Sequence, residues 1–337
     1  MIYYTHDISR KMNVLPRELI DHILYFTKNP VVELSLVNKY FDNNVKQIRI
    51  TRNEIYPKLR DEHLEQLNNL IILNLEKNRI ISDRGVSKLI NLTSLNLRNN
   101  RYITDHGISK LVNLTFLDLL QNEVISDHGI SKLTNLNTLI LARTDLVTDK
   151  GLTNLTNLTK LDLNNNQQIT NQGLINLTNI IDLDLDNNRR ITDEGIYRLT
   201  NLISLNLNRN GLITSINDFT NLRHIAIIEN HYITIKQIKH PDKIESLQLG
   251  RNILIADEDV NKMSNLKYLN LNFNNVITDQ GISNLTNLET LKLNYNRLIT
   301  IEAIRNFFKL KNISLYENKN ISSVKVRNLL NNIQIFC

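Results

Sequence analysis

The sequence is poor in residues on which several protein classes depend. Only one of the 337 residues is a cysteine, Cys337, so a disulfide framework within the chain is excluded. Tryptophan is absent and only 4 prolines occur. No apolar run approaches the roughly 18 residues of a membrane span, and the start lacks the apolar stretch of a secretory signal. We therefore expect a cytoplasmic protein, or one of the host-cell cytoplasm if the chain is viral.

Strong charge and catalytic motifs are missing as well. The 40 basic and 34 acidic residues give a net charge of +6 that is scattered along the chain, which does not indicate a nucleic-acid surface. Phosphate-binding, dinucleotide-binding, serine-hydrolase and zinc-protease motifs are not found. His106 and His128 occupy equivalent places and form either a metal site or one column of exposed residues. We expect no enzymatic activity, no cofactor, no metal, and neither a nucleic-acid nor a membrane partner.

What the sequence does contain is one pattern, L-x-x-L-x-L-x-x-N, repeated twelve times. Successive units are 22 residues apart, except for one step of 20 residues between Leu202 and Leu222. Six glycines from Gly85 to Gly195 keep the same spacing. The pattern resembles the leucine-rich repeat, a coil that buries its apolar face only when neighbouring coils stack on it. The units begin at Leu70, Leu92, Leu114, Leu136, Leu158, Ile180, Leu202, Leu222, Ile244, Leu266, Leu288 and Leu310.

The sequence of each repeat predicts a strand, a turn and a short helix. Leu95 and Leu97 alternate with polar residues in S-L-N-L (94–97), which is typical of a strand with one buried face. The asparagine at the ninth position can satisfy backbone groups at the turn and link neighbouring coils, and only Thr144 interrupts this series. I-T-D-x-G-I in the second half predicts a short capped helix. We interpret its glycine as allowing successive coils to approach closely.

The repeat becomes irregular between residues 211 and 243. One unit is two residues short, and the next has lost its Asp and Gly and gained Pro241. We expect the outer helix to be missing or distorted there. This irregularity is either sequence drift or a bend or partner contact.

The N-terminal residues do not follow the repeat. L-P-R-E-L-I-D-H-I-L (15–24) and L-S-L-V-N-K-Y-F (34–41) resemble an F-box, and I-T-D-x-G-I repeats are typical of F-box proteins. One residue is missing between the halves, and Phe41 stands where the family has Trp. The 22-residue period itself is closer to the internalin type. The resemblance implies docking on a Skp1-like adapter through Leu15, Pro16, Leu19, Ile23, Leu24, Phe26, Leu34, Val37 and Phe41.

The predicted fold class is α/β, a leucine-rich-repeat solenoid with a small N-terminal α-helical F-box. The solenoid is expected to be a horseshoe, with parallel strands on its concave face and short helices on its convex face. Alternatively, the N-terminal helices only cap the repeats. The predicted segments are a tail at 1–12, the F-box-like module at 13–44, a degenerate first repeat or cap at 45–69, twelve repeats at 70–329 and a C-terminal cap at 330–337.

The resemblance implies the substrate-recognition subunit of an SCF-type (cullin) ubiquitin ligase, in which the repeats bind a target protein. The alternative is a leucine-rich-repeat interaction scaffold with a helical cap and no role in ubiquitin transfer. Strand residues between the core leucines are the candidate target-binding surface, although the aspartates among them can also be solvated filler. An acidic set, expected to meet a basic segment of the partner, comprises Asp118, Asp162, Asp182, Asp184 and Asp186. An aromatic and basic set comprises Arg251, Tyr268, Phe273, Lys292, Tyr295 and Tyr316.

Overall fold

The computed structural model describes residues 47–49, 60–65, 67–330 and 333–337. The chain divides into two compact units, residues 1–158 and 159–337. The predicted adapter-binding residues, from Leu15 to Phe41, lie outside the described residues, so the predicted F-box fold remains a prediction.

The first unit alternates short parallel strands with helices of a single turn. Consecutive strands pair in chain order, with Leu73 opposite Leu95, one repeat apart. A strand at 47–49 and a helix at 61–64 precede Leu70, where the sequence predicts a degenerate repeat or cap. The strands are β1 (Gln47–Arg49), β2 (Ile72–Asn74), β3 (Ser94–Asn96), β4 (Phe116–Asp118) and β5 (Thr138–Ile140), and the helices are α1 (Asp61–Leu64), α2 (Asp83–Val86), α3 (Asp105–Ile108), α4 (Asp127–Ile130) and α5 (Asp149–Leu152).

The second unit repeats this architecture with nine parallel strands among its described residues, again paired in chain order. The strands are β6 (Lys160–Asp162), β7 (Asp182–Asp184), β8 (Ser204–Asn206), β9 (His224–Ala226), β10 (Ser246–Gln248), β11 (Tyr268–Asn270), β12 (Thr290–Lys292), β13 (Asn312–Ser314) and β14 (Gln334–Phe336). The helices are α6 (Asn171–Leu174), α7 (Asp193–Ile196), α8 (Asp257–Val260), α9 (Asp279–Ile282), α10 (Ile301–Ile304) and α11 (Ser323–Leu329).

The core of each unit is a stack of leucine and isoleucine side chains. Leu95 and Leu97 are fully buried, whereas Ser94 and Asn96 between them are half-buried, which confirms the predicted alternation. Burying one such leucine contributes about 1.5–3 kcal/mol. Because part of that burial comes from the adjacent coil, each coil depends on its neighbours for stability.

The predicted asparagine ladder links successive coils in both units. In the second unit, Asn252 Nδ2 donates to the carbonyls of Ile227 and Asn230 in the preceding coil, at 3.3 and 3.1 Å. Its Oδ1 accepts from the backbone N–H groups of Leu254 and Ile255 at the turn. One buried amide therefore satisfies four backbone groups, as a turn away from a strand requires. Thr144 takes this position once, and its hydroxyl donates to the carbonyl of Leu141 in its own coil at 2.9 Å.

A second ladder runs along the helices on the other side of each unit. Asp257 Oδ1 accepts from the backbone N–H of Thr278, one coil further on, at 2.8 Å, and its Oδ2 accepts from the Thr278 hydroxyl. Gly281 lies directly beside this carboxylate, where a Cβ atom would fall 2.9 Å from Asp257 Cα. The interpretation that glycine allows coils to approach closely is therefore confirmed.

The irregular segment and the C-terminus both depart from the regular coil. Residues 211–243 contain no α-helix, as the sequence predicts, and have two 3₁₀ turns instead, Ile235–Gln237 and Pro241–Lys243. At the C-terminus, α11 is the longest helix of the described residues and β14 pairs with β13. Val326 of α11 is fully buried, so this last coil covers the end of the core.

Candidate functional site

The candidate surface is the strand face of the second unit, which we define as the side chains that β6 to β14, and the turn residues just after them, direct away from the leucine core. Strand alternation places Tyr268 of β11 and Lys292 of β12 on this face, with Leu269 and Leu291 buried beneath. Adjacent strands stand about 4.8 Å apart. Side chains at equivalent positions of successive coils therefore touch one another.

The turn after each strand contains one residue in the left-handed conformation. In the second unit its φ lies between 52° and 56°. This conformation costs roughly 1–2 kcal/mol for most residues and much less for glycine or asparagine. Asparagine occupies the position at Asn165 and Asn187, but bulky aromatics occupy it at Phe273 and Tyr295. Because such residues are uncommon there, a role in binding is a reasonable hypothesis for them.

Phe273 and Tyr295 stand at the centre of a continuous stack of side chains. Their rings lie 4.5 Å apart and are nearly parallel, at 11°. The Arg251 guanidinium lies 4.6 Å from the Phe273 ring centroid, and Tyr316 packs on Tyr295 edge-on at 5.5 Å. We call Arg251, Phe273, Tyr295 and Tyr316 the aromatic column. All four side chains are exposed to solvent.

One cation lies within the column, Arg251, and another, Lys292, lies on the same strand face. Lys292 Nζ lies 5.5 Å from the Tyr268 ring centroid, and it makes no ion pair with any described residue. Arg251 pairs with Glu229 at 2.6 Å, an exposed contact of the kind that typically contributes less than about 1 kcal/mol. Desolvation and a hydrogen bond with Tyr316 raise the pKa of Tyr295, so its hydroxyl stays neutral at physiological pH. The structure thus arranges the predicted aromatic and basic set in two contacting groups, the aromatic column and the pair of Tyr268 and Lys292.

The predicted acidic set is arranged differently. Asp162 on β6 and Asp184 on β7 are directly opposite each other, but two other members are already paired. Lys160 binds Asp182 at 2.5 Å, and Arg209 donates three hydrogen bonds of 2.8–3.0 Å to Asp186. These ion pairs offset much of the negative charge that the sequence suggests.

Asp184 has a strongly raised pKa. Desolvation, and secondarily the charge of Asp162, raise its pKa to about 7. The backbone N–H of Asp186 and the side chain of Asn206 each donate a hydrogen bond to Asp184, at 2.9 Å. The pair of opposed carboxyls therefore holds a proton into the neutral range.

Asp118, the fifth member, belongs to the first unit. It is buried, pairs with Arg98 at 3.2 Å and accepts the backbone N–H of Leu120. Burial raises its pKa in spite of the arginine. Asp118 therefore stabilises the turn after its own strand.

Sequence reasoning missed the residues that neutralise this face. Lys160 and Arg209 were absent from the candidate set, as was Glu229, which pairs with Arg251. The repeat period contains the missing signal, because residues 22 positions apart are neighbours on successive coils. Lys160 precedes Asp182 by 22 residues, and Glu229 precedes Arg251 by the same number.

The part of the chain that the structure describes shows no other site. It contains no group of His, Cys, Asp and Glu residues that could hold a metal ion, and His106 and His128 are exposed. None of its helices has the length and apolar character needed to cross a membrane.

Comparison with known proteins places the chain among repeat proteins. A family model described as "Leucine Rich repeat" matches residues 66–90, 88–112, 154–178, 176–199 and 262–285. No curated protein matches the sequence. An internalin from Listeria monocytogenes is 26% identical, with a TM-score of 0.59, over 81% of this chain and 88% of that chain.

Two further structures are more distant. A leucine-rich-repeat protein of Leptospira interrogans is 20% identical, with a TM-score of 0.48, over 90% of this chain and 98% of that chain. Toll in the Drosophila Toll–Spatzle complex is also 20% identical, with a TM-score of 0.47, over 75% of this chain and 44% of that chain. The matched segments, together with the parallel strands and short helices of both units, identify the repeats of this chain as leucine-rich repeats.

Proposed function

We propose that the chain is a non-catalytic interaction protein that binds a target protein through the strand face of its second unit. The observation that carries this proposal is the aromatic column, whose central residues are exposed and hold a strained backbone conformation. Exposed aromatic side chains and arginine are enriched at protein interfaces. Nothing in the leucine core requires aromatics at Phe273 or Tyr295, since asparagine serves at the equivalent Asn165 and Asn187.

Site-specific photo-crosslinking tests this proposal. A benzophenone amino acid at Ser204, on the strand face, is expected to give discrete protein adducts in cells that express the chain. The same probe at Lys262, which is exposed just after α8, serves as the control. Adducts that form equally at both positions, or only at Lys262, would contradict a binding role for the strand face.

We further propose that Asp162, Asp182, Asp184 and Asp186 contact a basic part of the target. Asp182 and Asp184 lie on one strand, and the Lys160 contact to Asp182 is a surface pair that a stronger partner can replace. Changing Asp182→Lys and Asp184→Lys together should abolish the adducts at Ser204. Undiminished adducts would remove the acidic residues from the binding surface.

As a finer role, we propose that the chain is the substrate-recognition subunit of an SCF-type ubiquitin ligase in the cytoplasm. The support is the F-box-like pattern of residues 15–41, in which Leu15, Pro16 and Ile23 match the family. The Skp1-like adapter would dock there, and the repeats would hold the target close to the transfer machinery. Such a subunit accelerates transfer by proximity and makes no bond itself.

Adapter binding is the direct test of this role. Wild-type chain should retain a purified Skp1-like adapter, and the double variant Leu15→Asp plus Ile23→Asp should lose it while its circular dichroism and unfolding midpoint stay unchanged. Equal retention by both proteins would refute the ubiquitin-ligase role. Unfolding of the repeats by the double variant would instead support the alternative, a scaffold whose N-terminal residues only cap the repeats.

A further inference from the structure

We propose that the aromatic column binds an extended acidic segment of a protein partner, with its carboxylates beside Lys292 and Arg251. This inference rests on the proposed interaction function and adds the chemistry of the partner. It follows from how the rings are stacked, from the charges beside them and from the low strip of surface next to them.

At Phe273 the stacking leaves only the ring edge for a partner. Phe273 lies between Arg251 of the preceding coil and Tyr295 of the following coil, so both faces of its ring are covered. The faces of aromatic rings are electron-rich, whereas their edges carry partial positive charge. A partner that approaches Phe273 therefore meets the positive edge, which favours carboxylate and carbonyl oxygens over cations.

The cations reinforce this preference. Lys292 makes no ion pair with a described residue, and its only close charge–ring contact is with Tyr268. Arg251 is paired with Glu229, but the guanidinium side chain remains 56% exposed, so it can accept a second carboxylate. Both charges lie in coils that contribute to the column or flank it, where they complement an acidic ligand.

The strand beside the column offers room for an extended backbone. Ser246 and Gln248 of β10 point away from the core and are nevertheless buried. Ala226 on β9, opposite Gln248, is also small and buried. The strand face is therefore low at Ser246, between His224 on β9 and Tyr268 on β11, which suits a segment in an extended conformation.

A nucleic acid fits these features less well. Single-stranded nucleic acids bind by stacking bases on aromatic faces above a continuous basic groove. Here both faces of Phe273 are occupied, so its ring is not open to base stacking. Binding of an oligonucleotide in place of an acidic peptide is therefore one of the results that the test distinguishes.

The test uses a synthetic peptide that alternates glutamate and proline around one tryptophan. Proline keeps the peptide extended, and its tryptophan fluorescence is a clean signal because the chain contains no Trp. We expect the full chain to bind this peptide at least about tenfold more tightly than the matched glutamine peptide, and more weakly as salt rises. A matched peptide with lysine in place of glutamate and a thymidine oligonucleotide should not bind measurably.

Three variants locate the site. Lys292→Glu and Phe273→Asn should each weaken acidic-peptide binding by about tenfold. Asparagine occurs naturally at the left-handed position, so Phe273→Asn should leave the unfolding midpoint nearly unchanged and separate binding from folding. Lys262→Glu makes the same charge change beyond α8 and should bind like wild type.

Several results would overturn the inference. These are equal or tighter binding of the glutamine or lysine peptide, tighter binding of the oligonucleotide, failure of every peptide to bind, or insensitivity to both column variants. If adducts still form at Ser204 in any of these cases, the interaction function stands and only the acidic partner is excluded. If no adducts form there either, the proposed function fails as well.

Discussion

Gly281 illustrates how single residues set the spacing between coils. Its neighbour Asp257 caps the following coil by accepting hydrogen bonds from Thr278, and this requires the two backbones to be close. An added Cβ would lie 2.9 Å from Asp257 Cα, a distance that forces the coils apart. Gly211, by contrast, has only Tyr232 near its potential Cβ, at 3.7 Å. The two glycines of the same unit therefore have different roles.

This contrast gives a matched pair of variants. Gly281→Ala should destabilise the second unit by about 1–3 kcal/mol because backbone atoms must move. Gly211→Ala should be neutral or stabilise it by up to about 1 kcal/mol, since alanine restricts the unfolded chain. Urea unfolding followed by circular dichroism measures both changes. Equal effects at the two positions would show that the contact with Asp257 does not set the spacing.

At the scale of elements, the regular helices have only four residues each and depend on their caps. Isolated helices of this length are unstable in water, so packing and capping decide whether they form. Most begin at a Ser or Thr whose hydroxyl accepts a backbone N–H, as Thr278 does at α9. Helix α8 begins instead at Ala256, and Asp259 accepts the backbone N–H of Ala256 at 3.1 Å.

Restoring the missing hydroxyl should stabilise the coil. Ala256→Thr is expected to add about 0.5–1 kcal/mol to the free energy of unfolding, because the new hydroxyl can accept from the first turn of α8. Ala256→Val, which has the same branching without the hydroxyl, is the control and should give no such gain. A valine variant as stable as the threonine variant would show that capping is not the cause.

The carboxyls of Asp162 on β6 and Asp184 on β7, which lie opposite each other, make the free energy of unfolding depend on pH. The pKa of Asp184 is raised from its ordinary value to about 7, so the folded state binds more protons than the unfolded state between about pH 4 and pH 7. The stabilisation that this bound proton contributes is therefore fully present below about pH 4 and is lost as the pH rises through about 7. Asp184→Asn removes this dependence.

Urea unfolding across this pH range tests the effect. The free energy of unfolding of the wild type should fall by about 1–2 kcal/mol between pH 4 and pH 8, and that of Asp184→Asn should not fall in this way. Asp218→Asn, which removes a carboxylate from an exposed turn of the same unit, should follow wild type. A pH profile of Asp184→Asn that coincides with wild type would show that the Asp162 and Asp184 pair does not hold a proton.

At the scale of the whole molecule, each unit is a row of coils whose strands pair only with their sequence neighbours. Stability in such an array depends on each interface between coils, and an uncovered end exposes core leucines. At the C-terminus α11 and β14 cover that end, with Val326 fully buried and β14 paired to β13.

Truncation tests the capping role. Deleting residues 323–337 should expose Ile313 and Phe307, lower the unfolding midpoint and cause self-association in gel filtration. Deleting Cys337 alone removes only an exposed residue and is the control. A truncated chain that remains monomeric with the wild-type midpoint would show that α11 and β14 do not act as a cap.

The regular part of the fold was predictable because its signals are local. The 22-residue period, the alternation around Leu95 and the asparagine turns each follow from spacing along the chain. The absence of an α-helix at 211–243 was predictable as well, because the Asp and Gly of the helix start are missing there. The candidate site was predictable only as a set of residue types, since Phe273 and Tyr295 are two among many exposed positions.

The sequence by itself therefore determined the repeat, the core, the asparagine ladder and the strand face on which partners are expected to bind. Only the tertiary structure decided how the side chains of that face are arranged. It holds Phe273 and Tyr295 in left-handed turns, stacks their rings so that edges face solvent, and pairs Asp182 and Asp186 with Lys160 and Arg209. The physical reason is that ring orientation, ion pairing and desolvation depend on distances between side chains of neighbouring coils.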